Sequence, residues 1–155
     1  MKGNEKIIAA LNNLLADELT AINQYMLHSE MCDSWNFGEL HKAVEERAIT
    51  EMKHAEKLIG RILFLEGSPT VSNLKKINIG ADIPSQFNND LDSEMIAVKG
   101  YNDAIRLAYE LGDNGTRELF ESILTDEEEH VDWLEAQLDQ IKMMGLQTYL
   151  VEQTD

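Results

Sequence analysis

Cysteine is almost missing from this sequence, with Cys32 the only one. A lone thiol excludes an intramolecular disulfide framework and any all-cysteine zinc or iron–sulfur site. Proline is nearly as scarce, with two residues, and nine glycines leave long stretches uninterrupted. Aromatics make up only 6% of the chain while Leu, Ile, Ala, Glu and Met are plentiful, a mix that favours helix over sheet. Basic residues are outnumbered, 13 Lys and Arg against 29 Asp and Glu, for a net charge of −16. There is no Lys/Arg block to track a phosphate backbone, so nucleic acid is not an expected partner. An acidic surface attracts cations, or simply stays well solvated. With no run of eighteen apolar residues, no membrane span is expected. The opening MKGNEKIIAALNNLLADELT mixes acidic residues into its apolar pattern. It reads as neither signal nor transit peptide, which makes the cytoplasm the expected location.

What remains is a chain of 155 residues, enough for one domain, 1–155, with a real core. The periodicity predicts a first helix from about Asn4 to Asp33, capped by Asn4 and broken by Ser34-Trp35-Asn36-Phe37-Gly38. A second runs from about Glu39 to Glu66 and stops at Gly67-Ser68-Pro69. A third runs from about Pro84 to Leu111, with proline in its first turn, and a fourth from about Thr116 to Met144. Gly112-Asp113-Asn114-Gly115 is the turn between them, and Leu146 to Val151 forms a small fifth helix. Helices near thirty residues, at about 1.5 Å per residue, build an all-α bundle roughly 40 Å tall. Two short turns make antiparallel hairpins. The connection over residues 68 to 82 is long enough to cross the bundle from end to end, giving a one-crossover topology.

The helix stripes carry residues that do not belong in a core. Steps of four and three give Leu11, Leu15, Glu18, Ile22, Tyr25 on the first helix. They give Val44, Ala48, Glu51, Ala55, Leu58, Ile62, Leu65 on the second, and Phe87, Leu91, Glu94, Val98, Tyr101, Ile105 on the third. The fourth reads Phe120, Ile123, Glu127, His130, Leu134, Ile141. Each stripe therefore holds one glutamate near its middle. Burying ionised carboxylates without partners costs several kcal/mol each, and four together repel. Two divalent cations would balance their formal charge. His54 follows Glu51 by three residues and His130 follows Glu127 by three, so each Glu-x-x-His pair shares a helix face. Two such pairs plus one glutamate from each remaining helix form the ligand set of di-iron and di-manganese carboxylate bundles. Mixed oxygen and nitrogen donors suit iron or manganese better than a single zinc.

With these residues in view, the chain resembles bacterioferritin, a haem-containing ferritin family, over roughly residues 1 to 150. The strings that carry the resemblance are LADELTAINQYMLH, EMKHAEKLIGRILFLEG, DLDSEMIA and ILTDEEEHVDWLE. The resemblance implies a ferritin-like four-helix bundle with one long crossover connection and a short fifth C-terminal helix. It also implies a hollow shell of twenty-four subunits, built from twofold dimers, that oxidises Fe²⁺ with O₂ or hydrogen peroxide and stores ferric mineral. On that resemblance Glu18 and His54 hold one iron of a di-iron centre, Glu94 and His130 hold the other, and Glu51 and Glu127 bridge them. A ferredoxin-type electron donor is the implied redox partner.

Met52 stands about 100° round the helix from Glu51 and cannot face the same site. With Ile49, Ile59 and Leu63 it makes a second apolar face that needs another packing partner, for which a second subunit is the natural candidate. The residues alone allow simple packing there. The resemblance implies haem b shared between two subunits through Met52 and its twofold mate. Tyr25, seven residues after Glu18, lies near the site and either supplies an electron or hydrogen-bonds a ligand. Trp35 and Trp133 read as packing residues, His28 and His41 as surface or structural, and Cys32 as an inert helix-end thiol. An inner-surface iron site through a histidine and an aspartate, found in some of the family, is not expected here, because Glu46 and Thr50 stand at those positions with Arg47 between them. A rubrerythrin-like peroxidase lacks support because its Cys-x-x-Cys iron domain needs more than one cysteine. An oxygenase would need a substrate pocket that the filled stripes leave no room for, and a Dps-like shell puts iron between subunits rather than within the bundle.

Overall fold

The structure, a computed structural model, describes all 155 residues and contains five helices and no strand. These are α1 (Glu5–Ser34), α2 (Gly38–Phe64), α3 (Ile83–Glu110), α4 (Asn114–Met144) and the short α5 (Leu146–Val151). Asn4 caps α1 as expected, its side chain accepting from the Lys6 N–H at 2.8 Å. Several helix boundaries differ from the sequence reading by one or two residues. Helix α4 starts inside the expected turn because the Asp113 carboxylate accepts from the Thr116 N–H at 3.0 Å and draws Asn114 and Gly115 into the first turn. Helix α2 starts at Gly38 because Asn36, at φ 63°, makes the whole reversal in a single left-handed residue. At the start of α3, Asp82 and Ser85 form a reciprocal capping box.

Helix α1 packs against α2 and α3 against α4, and α1 also meets α3. Hydrogen bonds fix the directions. Glu18 pairs with Tyr101, Tyr25 with Glu94 and His28 with Asp90, so α1 and α3 run antiparallel. Arg61 meets Asp113 while His54 meets Asp126, so α2 and α4 do too. The segment between α2 and α3 therefore traverses the bundle, as its length predicted.

That crossover is held by one polar stripe of α1. Its backbone N–H groups at Thr70, Lys75, Asn78 and Gly80 donate to the side chains of Asn12, Thr20, Gln24 and His28, at 2.8 to 3.1 Å. Each of these α1 residues lies four or eight positions after the last, on one face of the helix. An irregular segment laid against a helix must satisfy its amides somewhere, and here α1 supplies the acceptors. His28 accepts from Gly80 through Nε2, so its Nδ1 carries the proton and donates to Asp90 at 2.9 Å. Asp90 also accepts from Gln24 at 2.8 Å. Gly80 itself is required by close approach, since a Cβ there would stand 2.3 Å from the Gln86 backbone nitrogen.

Apolar packing fills the two ends of the bundle and leaves a polar level between them. At one end Ile7, Leu11, Leu58, Ile62, Phe120 and Ile123 form the larger core. At the other Leu40, Ile83, Phe87 and Leu134 close around Tyr149 of α5. Tyr149 is fully buried, packs edge-on against Phe87 and donates to Gln137 at 2.6 Å, which docks the short helix.

His28→Leu should leave the Gly80 N–H without its acceptor and Asp90 short of one donor in a dry interior. The expected cost is about 2–4 kcal/mol, read as a lower denaturant midpoint with an unchanged slope.

Candidate metal centre

The polar level consists of Glu18 (α1), Glu51 and His54 (α2), Glu94 (α3), and Glu127 and His130 (α4), none more than 8% exposed. All six face inward, and the register between the helices brings them to one height. Their donor atoms fall into two sets. In the first, atoms of Glu18, Glu51, His54 and Glu127 lie within 4.8 Å of one another; in the second, those of Glu51, Glu94 and His130 do.

Glu51 and Glu127 divide their two oxygens between neighbouring positions. His54 Nδ1 lies 3.3 Å from Glu51 Oε2, 3.0 Å from Glu127 Oε1 and 3.6 Å from Glu18 Oε2. On the other side, Arg47 Nη2 lies 2.7 Å from Glu51 Oε1, 3.2 Å from Glu127 Oε2 and 3.7 Å from Glu94 Oε2. His130 Nδ1 completes that side, 2.9 Å from Glu94 Oε1. Four inward carboxylate oxygens make no aligned hydrogen bond and meet only the neighbouring His54 and Arg47 cations: Glu18 Oε2 and Glu127 Oε1 in the first set, Glu51 Oε1 and Glu94 Oε2 in the second. Buried acceptors of this kind cost free energy unless a cation or donor meets them. The donor set, carboxylate oxygen with imidazole nitrogen, fits a pair of hard or borderline divalent ions.

Surrounding groups fix the geometry. Tyr25 donates to Glu94 Oε1, and Tyr101 donates to Glu18 Oε1 at 2.5 Å. Each tyrosine lies seven residues after the glutamate of its own helix and crosses to the glutamate of the other. The sequence reading placed Tyr25 near the site but gave Tyr101 no part in it, although the repeated Glu-x₆-Tyr spacing was the available signal. Asp126 was also missed: its Oδ2 lies 2.8 Å from His54 Nε2 and orients that ring, the arrangement that holds metal-binding imidazoles in one tautomer. Arg47 was noticed but not assigned to the site, though it stands one helical turn before Glu51 on the same face. Trp133, read as packing, does pack on Phe87, and its ring also stacks 6.0 Å from His130.

Burial makes charge the controlling variable. Desolvation, and after it the Glu51 charge, raises Glu18 well above the usual carboxylate range, and Glu127 is raised in the same way. Burial also works against Glu51, but hydrogen bonds from Glu18 and His54 and the Arg47 charge outweigh it and hold Glu51 well below that range. For His54, burial opposes the charged form, yet hydrogen bonds to Glu127, Glu18 and Glu51 push it up to about 12. Arg47 is raised too, the Glu51, Glu94 and Glu127 charges overcoming its desolvation. Without metal, then, burial favours the neutral forms of Glu18 and Glu127, and His54 and Arg47 stand against the remaining carboxylate charge.

The remaining sequence candidates lie outside this level. Met52 is 45% exposed on the far side of α2, as its angular offset required, in an apolar groove with Ile22, Met26, Ala48 and Ile49. Glu46 and Thr50 edge a separate cleft beside Arg47, Glu129 and His130. His28 is fully buried and structural rather than on the surface, because the crossover covers it. His41 is half-buried, with Nδ1 3.0 Å from the Ser29 carbonyl oxygen. Cys32 is buried, and burial pushes its thiol up to about 11, which suppresses the thiolate and its reactivity. Trp35 is half-exposed in the turn between α1 and α2.

Comparison with known proteins agrees with this arrangement. The family profile described as "Ferritin: Ferritin-like domain" matches residues 8–144. A bacterioferritin of Mycolicibacterium paratuberculosis is 42% identical over 149 residues, 96% of this chain and 94% of its own. Bacterioferritins of Brucella melitensis and Rhodobacter capsulatus are 40% and 42% identical over the same length, 96% of this chain and 92% of theirs.

The shifts set the pH dependence of the metal-free protein. His54, raised from its ordinary 6.5, contributes stability that is complete below about pH 6.5 and is lost as pH climbs toward 12. The raised Glu18 and Glu127 act in the same direction, since their buried neutral forms are lost on the alkaline side. Glu51, held low, contributes stability present above its ordinary 4.5 and lost as pH falls through its folded value. Chelator-treated protein should therefore melt at a lower temperature at pH 9 than at pH 6. Metal-loaded protein should not, because binding has already removed those protons.

Proposed function

Because the chain belongs to the bacterioferritin family of ferritin-like proteins, we propose that it stores iron by oxidising Fe²⁺ at this six-residue centre. The observation that carries the reading is the set of inward carboxylate oxygens without an aligned hydrogen bond, divided between two groups of donor atoms that share Glu51. Glu18 and His54 hold one Fe²⁺, Glu94 and His130 the other, and Glu51 and Glu127 bridge. Two Fe²⁺ lose one electron each. An O₂ that takes both electrons, with two protons, leaves as hydrogen peroxide, and a peroxide that takes both leaves as water. The carboxylates favour the higher ferric charge, which lowers the barrier to giving up the electrons. Tyr25, hydrogen-bonded to Glu94, holds that carboxylate in place.

Access supports an ion as substrate. A cleft of roughly 300 Å³ walled by Asp17, Lys75 and Asn78 reaches Glu18, Glu94 and Glu127, and ten of its thirteen lining residues are polar or charged. An oxygenase acting on an apolar compound would need an apolar chamber beside the centre, and Leu, Ile and Phe side chains fill the bundle on both sides of it.

The domain 1–155 is read as one subunit of a hollow twenty-four-subunit cytoplasmic shell, built from twofold dimers around a ferric mineral. No helix is long and apolar enough to cross a membrane. The groove at Met52 fits half of a haem pocket: an exposed thioether lies over an apolar floor of Ile22, Met26 and Ile49, with a volume of roughly 350 Å³. Met52 and its symmetry mate would ligate haem b from its two sides. Haem bound there would supply a one-electron relay from a ferredoxin-type donor toward the stored iron.

Glu18→Ala and His130→Ala should each slow Fe²⁺ oxidation by about ten-fold or more, followed as ferric absorbance; parent-like rates in both would overturn the assignment. Sedimentation should give a particle of twenty-four 17.6 kDa chains, about 420 kDa. Protein made with ample haem should show a visible haem band that Met52→Leu abolishes, while Fe²⁺ oxidation continues.

A further inference from the structure

The two halves of the centre are related by an approximate twofold pattern, and the places where the pattern fails are all in one half. Glu18 and Glu94 are equivalent, as are the tyrosines seven residues later and the two Glu-x-x-His pairs. Asp126, just before Glu127, orients His54. Its counterpart just before Glu51 is Thr50, whose hydroxyl donates to the Glu46 carbonyl instead. His130 accordingly has no carboxylate on its outer nitrogen to match Asp126, and its Nδ1 faces Glu94 Oε1 at 2.9 Å. Arg47 lies four residues before Glu51, and the equivalent residue before Glu127 is Ile123, an apolar core residue. One position thus has an oriented imidazole and no competing cation. The other has an unsupported imidazole and a guanidinium nitrogen set among Glu51, Glu94 and Glu127.

We propose that Arg47 is a built-in competitor for the second metal position, so that the Glu18–His54 position fills first and the Glu94–His130 position fills only as the guanidinium withdraws. The inference rests on the metal-centre reading above. A guanidinium and a divalent ion cannot both sit among the same three carboxylate oxygens. The hold of Arg47 is also of a kind that can be released. Its Nη2 and Nε lie in the interior without an aligned acceptor, and no bidentate fork is made with any carboxylate. The single aligned bond is from Nη1 to the Asp126 carbonyl oxygen at 3.2 Å. A destination exists as well. The side chain borders the cleft that carries Glu46 and Glu129, both exposed carboxylates. A short rotation about its own stem exchanges buried carboxylates for solvated ones and keeps the charge paired. In the metal-free state the same guanidinium offsets part of the repulsion among four buried acids, so it acts as a placeholder as well as a competitor.

The test is an anaerobic titration of the metal-free assembled protein with Co²⁺, followed by calorimetry and visible absorption. The parent should take one Co²⁺ per chain tightly and a second about ten-fold or more weaker. Arg47→Gln should tighten the second step by about ten-fold or more and leave the first nearly unchanged, whereas Arg47→Lys should keep most of the gap. Two equal steps in the parent, or a gap that Arg47→Gln leaves in place, would overturn the inference while sparing the metal centre. Absence of Co²⁺ binding in parent and variants alike would take down both. A crystal of the parent soaked in Co²⁺ gives an answer that needs no variant: with both positions filled, Arg47 should lie in the Glu46–Glu129 cleft. Finding it still against Glu51 would refute the displacement.

Discussion

Four carboxylates stand at one level of an otherwise apolar bundle, and the rest of the structure answers the charge they bring. In a medium where each ion loses most of its hydration, they cannot all remain ionised without cations close by. The upward shifts of Glu18 and Glu127, the raised His54 and the inserted Arg47 are separate answers to the same constraint. Metal ions are a further answer, and a better one, because each small dication meets several oxygens at once. The two apolar plugs above and below matter for the same reason: they keep water from screening the carboxylates and so make cations necessary.

The supporting shell shows how the chain limits the freedom of these acids. Tyr25 and Tyr101 cross between α1 and α3, so each outer glutamate is oriented by the helix opposite. Positioning then depends on how α1 and α3 are set against each other, not on one helix alone. Asp126 does the corresponding work between α4 and α2. Preorganisation of this kind is what a centre needs to hold donor atoms in place before any ion arrives.

Much of this is legible in the sequence because helix periodicity is a strong signal. A glutamate in an apolar stripe is conspicuous, and four of them with two matched histidines identify both the bundle and its polar level. The six buried residues and the outward Met52 follow from angle arithmetic alone. Tyr101 was visible in the stripe, but a tyrosine among apolar residues looks like packing until the cross-helix register is known. Arg47 shares the face of Glu51 and Asp126 lies beside Glu127, and only the helix–helix geometry shows which groups their side chains meet. The crossover was legible as a length and not as a path. Its anchors Asn12, Thr20, Gln24 and His28 carried no signal in the sequence, because a partner with no periodicity of its own leaves no pattern there.

That ladder of side chains does more than cover α1. It is a ruler. The first hairpin supplies three of the six donor residues and the second supplies the other three, and nothing covalent aligns them except the segment between. By clipping the amides of Thr70, Lys75, Asn78 and Gly80 along one face of α1, the chain sets the starting height of α3. One residue of slip along a helix moves a side chain about 1.5 Å and swings it about 100°, and a full turn moves it about 5.4 Å. Either is enough to carry Glu94 away from Glu51. The alignment of two half-sites to ångström tolerance is thus assigned to the least regular part of the molecule.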